Sequence, residues 1–341
     1  MKIGVIGASG YSGGELLRLL VGHPHFEVEY IAAGSQAGAA ITSVHPQLIS
    51  YSERLFEATE ISRMNDCDLL FLALPHGESA KMIAEVDSNI KVVDLGADFR
   101  LESSLSWEKY YGGSYAGAWV YGLPEIPGQR GKIAQASRVA NPGCYATAIA
   151  LAAAPSLHSK IIDGTDIVVV AASGTTGAGR KASTSLLASE VMGSLTSYKF
   201  GGVHQHTPEI EQTLSLLGDE EVKISFTPIL APMPRGILAT VTAKLKSPLS
   251  SIDAQEIYKN FYQSEEFVSV LSGDQLPKTS AVLASNSAQI QVAVDDHTQR
   301  IIISAAIDNL GKGAASQAIQ NANLMIGLPE NTGLSSQGIG S

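Results

Sequence analysis

Two short segments of this chain carry residue types that can do covalent chemistry. The first is Asn141-Pro142-Gly143-Cys144-Tyr145-Ala146-Thr147. Pro142 fixes φ and lacks an N–H, and Gly143 permits φ > 0, so regular structure breaks there. Ala146 to Ala154 is small, apolar and helix-forming. This pattern predicts that Cys144 sits where a turn ends and a helix begins. The first N–H groups of a helix are unpaired and electropositive, and that position lowers a thiol from its usual pKa of about 8.5. The chemistry implied is nucleophilic. The competing reading is a small buried core residue, the common fate of free cysteine.

The second segment is His204-Gln205-His206-Thr207-Pro208-Glu209-Ile210. His-x-His puts both rings on one side when extended. Thr207 reads as a helix N-cap, with Pro208 at the first helical position and Glu209 in the first turn. Zinc needs further ligands, and no cysteine or carboxylate cluster lies nearby at ligand spacing. No metal is therefore expected, and general acid–base work is the stronger reading for His204 and His206. A small-residue loop, Ser173 to Lys181, ends in Arg180 and Lys181 and has the makings of an anion cradle. Arg235, in Pro234-Arg235-Gly236-Ile237, is a candidate carboxylate anchor.

These residues need a scaffold, and the N-terminal stretch supplies one kind. Lys2 to Ile6 reads as a strand, Gly7-Ala8-Ser9-Gly10-Tyr11-Ser12-Gly13-Gly14 as a turn, and Glu15 to Leu20 as an amphipathic helix. Strand, glycine turn and helix form the context of a dinucleotide fingerprint, here spaced G-x-x-G-x-x-G. Gly7 suits the tight turn, Gly10 the approach of backbone N–H groups to a pyrophosphate, and Gly13 close helix–sheet packing. Ser9, Tyr11 and Ser12 join them as cofactor-binding candidates. After the second strand, Phe26 to Ala33, the ribose position reads Gly34-Ser35-Gln36-Ala37-Gly38 and has no carboxylate. A carboxylate there would repel a 2′-phosphate; its absence, with Ser35 and Gln36 as donors, favours NADP over NAD. Asp68 to Pro75 and Lys91 to Leu95 are further strands, and Pro75-His76, at the carboxyl end of one, would border the ligand crevice.

Strands alternating with helices to residue 143 predict an α/β, Rossmann-type, doubly wound parallel sheet. Beyond it comes a strand at 166–172, and then strands at 223–230, 237–246, 289–294 and 300–307 without interleaved helices, which predicts an α+β domain with a mostly antiparallel sheet. A closing helix spans 314–325, and the Gly- and Ser-rich tail from Asn331 is expected to be loosely held. An open face on the antiparallel sheet would suit a homodimer or homotetramer.

Composition narrows the function classes. The chain has 341 residues, enough for two domains. There are 33 acidic against 23 basic side chains and no basic run, which disfavours nucleic acid and anionic membrane surfaces as partners. Two cysteines, Cys67 and Cys144, make no disulfide framework and fit a reducing cytoplasm. Cys67 reads as strand packing. No apolar run is long enough for a membrane helix, and the N-terminus reads as a strand rather than a targeting segment.

Taken together, these segments resemble the N-acetyl-γ-glutamyl-phosphate reductase family over almost the whole chain. The marks are Gly7 to Leu16, Leu74-Pro75-His76-Gly77, Gly96-Ala97-Asp98-Phe99-Arg100, Tyr121 to Glu125, Asn141 to Tyr145, Ser173 to Arg180, His204 to Ile210, Pro234 to Ile237 and Asp308-Asn309-Leu310. Aspartate-semialdehyde dehydrogenase and glyceraldehyde-3-phosphate dehydrogenase are broader relatives in architecture. Two departures are Gln205, where the family commonly has arginine, and the lack of an arginine near Ser35. The resemblance implies an NADP-binding domain, 1–143, completed by 310–341, and a catalytic and dimerisation domain, 144–309. It places Asn309 near the nicotinamide. It implies that Cys144 attacks an acyl phosphate, that NADPH reduces the resulting thioester, and that the pathway is arginine biosynthesis. His204 and His206 both qualify for the proton, with the resemblance favouring His204. Arg100, Arg180, Lys181 and Arg235 are candidates for the phosphate and α-carboxylate. Two rival readings are a reductase of a carrier-protein-bound aminoadipyl or glutamyl phosphate, and a non-catalytic NADP-binding regulator.

Overall fold

The computed structural model describes residues 1–218 and 220–340. The chain divides into two units, Met1–Pro142 with Ala314–Leu334, and Gly143–Gly313 with the residues from Ser335 on.

The first unit is built on six strands: β1 (Lys2–Ile6), β2 (Glu27–Ala32), β3 (Leu69–Leu72), β4 (Lys91–Asp94), β5 (Val120–Tyr121) and β6 (Arg138–Ala140). They run parallel in the order β2-β1-β3-β4-β6-β5. The order turns back on itself at β1, so the carboxyl ends of β1 and β3 form the switch point where such sheets take ligands. Both faces are apolar, which is why these strands read as continuous hydrophobic runs. Ile3, Val5, Leu69, Phe71 and Val93 face one layer, which includes Leu16, Leu17 and Leu20 and, from the closing helix Ser316–Met325, Ala318, Ile319 and Ala322. Their sequence neighbours Ile6, Leu70, Leu72 and Val92 face the other, with Tyr30, Met64 and Phe99. The closing helix belongs to this unit by that packing. A π-helical turn, Gly311–Ala315, precedes it and has no mark in the sequence pattern.

The second unit holds β7 (Ile162–Ser173), β8 (Thr196–Ser197), β9 (Ile224–Leu230), β10 (Ile237–Leu245), β11 (Val268–Val270), β12 (Ala288–Asp295) and β13 (Arg300–Ile307). Their order is β11-β12-β13-β10-β7-β9-β8. Four of the six pairings are antiparallel; β7 with β9 and β11 with β12 are parallel, so the sheet is mixed. Helix Thr207–Ser215 lies between β8 and β9 in the chain, within the stretch that returns it for the parallel β7–β9 pairing.

Helix Cys144–His158 is the core of this unit. Every residue from Tyr145 to Leu157 is buried. Pro155 interrupts it, because proline cannot donate to the carbonyl four residues back. That carbonyl, Leu151, accepts instead from the Tyr262 hydroxyl at 2.5 Å, and Ala152 accepts from the Tyr258 hydroxyl at 2.8 Å. Tyr258 belongs to helix Ser251–Phe261, and Tyr262 follows it directly. The opposite sheet face is different: Val168, Val170, Leu238 and Ile302 point outward and are more than a third exposed.

The tail is not loosely held. Thr332 O accepts from Asn323 Nδ2 at 2.9 Å within the first unit, and from Ser335 on the tail belongs to the second unit, with Asn286 N–H donating to Ser335 O at 2.9 Å and Ile339 N–H to Leu283 O at 3.0 Å. The Ser287 hydroxyl donates to Ser336 O at 2.5 Å. Among the described residues no helix is long and apolar enough to cross a membrane.

Candidate active site

In the first unit the glycine turn connects β1 to helix Tyr11–Leu20. Gly7 has φ +81°, and a Cβ there would fall 2.3 Å from the Ala73 carbonyl. A Cβ on Gly13 would fall 2.6 Å from Ala8 Cα. Side chains are thus excluded where the turn meets β3 and where the helix meets the turn. Gly10 stands at the N-cap with no side-chain cap, and no acidic residue lies in the first turn. That leaves an electropositive helix start, the chemistry a dinucleotide pyrophosphate requires. Ser9 and Ser12 are half-buried and Tyr11 is exposed beside it. Ser35 and Gln36 are exposed just after β2, and Pro75 and His76 are exposed just after β3. The His76 ring meets Tyr111 edge-on, with centroids 5.8 Å apart. The residues present fit a dinucleotide.

In the second unit Cys144 is the first residue of its helix, with Gly143 at the N-cap in extended geometry (φ −68°, ψ 147°). The thiol is partly exposed and forms no disulfide. Two contacts fix this corner. Gly143 N–H donates to Glu209 Oε1 at 2.7 Å, from a side chain that is fully buried. A Cβ on Gly313, in the π-helical turn, would fall 2.7 Å from Cys144 Cβ, so only glycine lets that turn lie against the cysteine. Tyr145, next in the chain, is buried and packs edge-on against both His204 and His206, at 5.4 Å and 6.1 Å. The two imidazoles are 4.9 Å apart.

The histidines differ in surroundings. His204 is buried among Tyr145, Tyr198 and Phe226, and its Nδ1 accepts the His206 N–H at 3.0 Å. That bond places the ring proton of neutral His204 on Nε2. Burial, with His206 and Lys199 adding to it, pushes His204 down to about 2. His206 is less buried and occupies the N-cap of helix Thr207–Ser215. The helix therefore starts one residue earlier than the Thr207 cap expected from sequence. Thr207 is its first residue, and no side chain caps it.

The candidate cations lie on separate segments of the chain. Arg180 and Lys181 are exposed in the loop after β7. Arg235 directs Nε and Nη2 onto the two oxygens of Asp308 at 3.1 Å and 2.6 Å. Asp308 is fully buried and also accepts the N–H groups of Ala284 and Leu310. One edge of the Arg235 guanidinium thus serves the fold. Arg100, in the first unit, is buried and donates to the carbonyls of Asn141 (2.8 Å) and Leu95 (2.7 Å). Asn309 uses both ends of its amide within the second unit: Oδ1 accepts the Gly236 N–H at 2.7 Å, and Nδ2 donates to Thr176 at 3.0 Å.

Sequence reasoning missed three participants. Glu209 reads in the sequence as a first-turn acid, yet it contacts a residue 66 positions away. Tyr198 reaches the same corner, its hydroxyl 3.2 Å from that of Tyr145, and burial pushes it up to about 12. Asp308 was named only within a motif. None has a periodic signal, because each acts through a contact distant in sequence.

The family model described as "Semialdehyde dehydrogenase, NAD binding domain" matches residues 2–136, and "Semialdehyde dehydrogenase, dimerisation domain" matches residues 144–309. The fold is that of aspartate semialdehyde dehydrogenase II from Vibrio cholerae, with a TM-score of 0.71 at 16% identity, covering 95% of this chain and 98% of that one. The NADP-bound aspartate semialdehyde dehydrogenase of Candida albicans gives a TM-score of 0.63 at 16% identity, covering 95% and 98%. Proteins named N-acetyl-gamma-glutamyl-phosphate reductase from Acidothermus cellulolyticus and Salinispora arenicola are each 53% identical to this chain. The first match covers 99% of this chain and 98% of that protein, and the second 99% of each. With an identity that high over its full length, this chain belongs to the N-acetyl-gamma-glutamyl-phosphate reductase family.

Proposed function

We propose that the protein reduces N-acetyl-L-glutamyl 5-phosphate to N-acetyl-L-glutamate 5-semialdehyde, releasing phosphate, within arginine biosynthesis in the cytoplasm. The observation that carries the reading is Cys144, a partly exposed thiol at the first position of a buried helix, in a chain 53% identical to proteins named for this reaction. The Cys144 thiolate attacks the acyl carbon. The C–O bond to phosphate breaks, and a thioester remains on Cys144. The turn from Gly7 to Gly13 with Ser35, Gln36, Pro75 and His76 would hold NADPH, which would supply the hydride for the thioester carbon and leave as NADP⁺. Collapse of the hemithioacetal breaks the C–S bond and returns the thiolate. The backbone N–H groups at the helix start steady the oxyanion. Between the two histidines, the low basicity of His204 favours His206 as the proton carrier. Arg100, Arg180, Lys181, Arg235 and Asn309 remain the polar candidates toward phosphate, carboxylate and nicotinamide. The bonds that Arg100, Arg235 and Asn309 already make support positioning roles for these three.

The reverse reaction is the test. N-acetylglutamate semialdehyde, inorganic phosphate and NADP⁺ are expected to give NADPH at a rate that depends on phosphate and exceeds that with NAD⁺. NADP⁺ binding without such turnover would point to a carrier-bound acyl phosphate. Failure to bind NADP⁺ would overturn the reading.

The outward sheet face, with Val168 and Thr242 beside Ile302, and Val170 and Thr240 beside Ser304, supports a symmetric homo-oligomer joined through it. Sedimentation velocity is expected to give at least twice the chain mass, and Val170→Glu with Ile302→Glu to give the monomer. A monomeric wild type would exclude this interface.

A further inference from the structure

The segment Gly96-Ala97-Asp98-Phe99-Arg100 contains a buried acid that the chemistry above does not use. Asp98 is 1% exposed, yet no cation is bonded to it in the first unit. Its two oxygens each accept a backbone N–H from the loop after β3: Oδ1 from Gly77 at 2.5 Å and Oδ2 from Ala80 at 2.9 Å. A second buried acid, Asp94 at the end of β4, holds the residue between them. Its Oδ1 accepts from the Ser79 hydroxyl at 2.9 Å and from Gly96 N–H at 2.8 Å. Two carboxylates from one strand end thus grip Gly77, Ser79 and Ala80 on the adjacent strand end. Burial pushes Asp94 up to about 7, while Asp98 takes its hydrogen bonds from two amides that have no other partner in a helix. The gripped loop begins with Pro75 and His76, whose exposed side chains follow β3 at the switch point of the sheet.

We propose that Asp98 is a positioning residue for the cofactor: by tying down Gly77 and Ala80 it sets the conformation of the Pro75-His76-Gly77 loop, and so the affinity for NADP(H), without touching the cofactor. The inference rests on the reading of that loop as part of the cofactor site. Asp98→Asn is the sharpest variant, because it keeps the shape but turns an NH2 group toward one of the two N–H donors. It is expected to raise the NADPH dissociation constant and the KM for NADP⁺ by about tenfold to hundredfold, the worth of one or two charge-assisted hydrogen bonds. At saturating cofactor, kcat and the KM for the semialdehyde are expected to stay within about twofold, whereas a general folding defect would lower kcat through the active fraction.

Hydrogen exchange supplies an independent readout. The Gly77 and Ala80 amides are expected to exchange faster in Asp98→Asn, with β4 unchanged. Should that variant not fold, Asp98→Glu, which retains the charge but displaces both acceptors, carries the same pair of measurements. Faster exchange with unchanged NADPH affinity would overturn the positioning role while leaving the cofactor-site reading intact. A wild type that binds no NADPH would overturn both, and unchanged exchange would show that the grip does not exist in solution.

Discussion

Cys144→Ala is expected to abolish phosphate-dependent reduction of NADP⁺, lowering kcat by about four orders of magnitude or more, because on the proposed route this thiol carries the acyl intermediate. NADPH binding is expected to persist, since its proposed ligands lie in the glycine turn and the strand ends of the first unit. The substitution is mild for the fold. It keeps the Cβ against which Gly313 packs, and alanine has high helix propensity. Loss of activity with an unchanged melting temperature therefore reports chemistry. The reactivity of the wild-type thiols gives a second check. Burial pushes Cys67 up to about 11, and its Sγ sits 3.6 Å from the Arg63 carbonyl. Cys144 is partly exposed at an uncapped helix start. Iodoacetamide at neutral pH is expected to label Cys144 far faster than Cys67 and to remove activity in step with labelling. Turnover surviving in Cys144→Ala would exclude the thioester route.

What the sequence reveals and what it hides follow from the range of the interactions. The first four strands of the parallel sheet are legible because buried apolar residues such as Leu69 to Leu72 and Val92-Val93 mark them, whereas β5 and β6, of two and three residues, leave no such run. The start of the Cys144 helix is legible because Pro142 and Gly143 act locally. The glycine turn is legible for the same reason. Contacts across many residues leave no such trace. Nothing near Glu209 signals that it will hold Gly143 N–H, and nothing near Tyr262 signals that it will satisfy the carbonyl Pro155 leaves open. The roles of the cations were obscured in the same way. Arginine type and motif suggest anion binding for Arg235 and Arg100; the bonds these side chains also make to Asp308, 73 positions away, and to the Asn141 carbonyl, 41 positions away, leave no mark near either arginine. The tail misled through composition: glycine and serine suggested mobility, yet Ser335, Ser336 and Ile339 bond to residues near position 285. Local grammar marks Cys144 as the candidate nucleophile, and long-range bonds such as Gly143 N–H to Glu209 decide how rigidly it is presented.

The two histidines are expected to separate on substitution. His206→Asn is expected to lower kcat by about 10²–10⁴, the usual worth of a general acid–base group, and to erase the corresponding limb of the pH–rate profile. His204→Asn is expected to cost much less, because the asparagine oxygen can take the place of Nδ1 as acceptor for the His206 N–H. The reason is electrostatic. His204 would have to gain a proton beside Lys199 and His206 in a buried aromatic setting, and it does so only near pH 2. That setting opposes proton uptake by His204 at neutral pH. The same property has a stability consequence of defined sign. An unfolded chain protonates this histidine near 6.5, the folded chain near 2. Between those values the unfolded state binds more protons, so acidification favours unfolding by up to about 1.4 kcal/mol per pH unit. Thermal melts from pH 7 to pH 4 are expected to fall less steeply for His204→Asn than for wild type. If instead His204→Asn removed both the activity and the pH limb while His206→Asn kept them, the proton would belong to His204, and the aromatic cluster around it would have to open during turnover to let it charge.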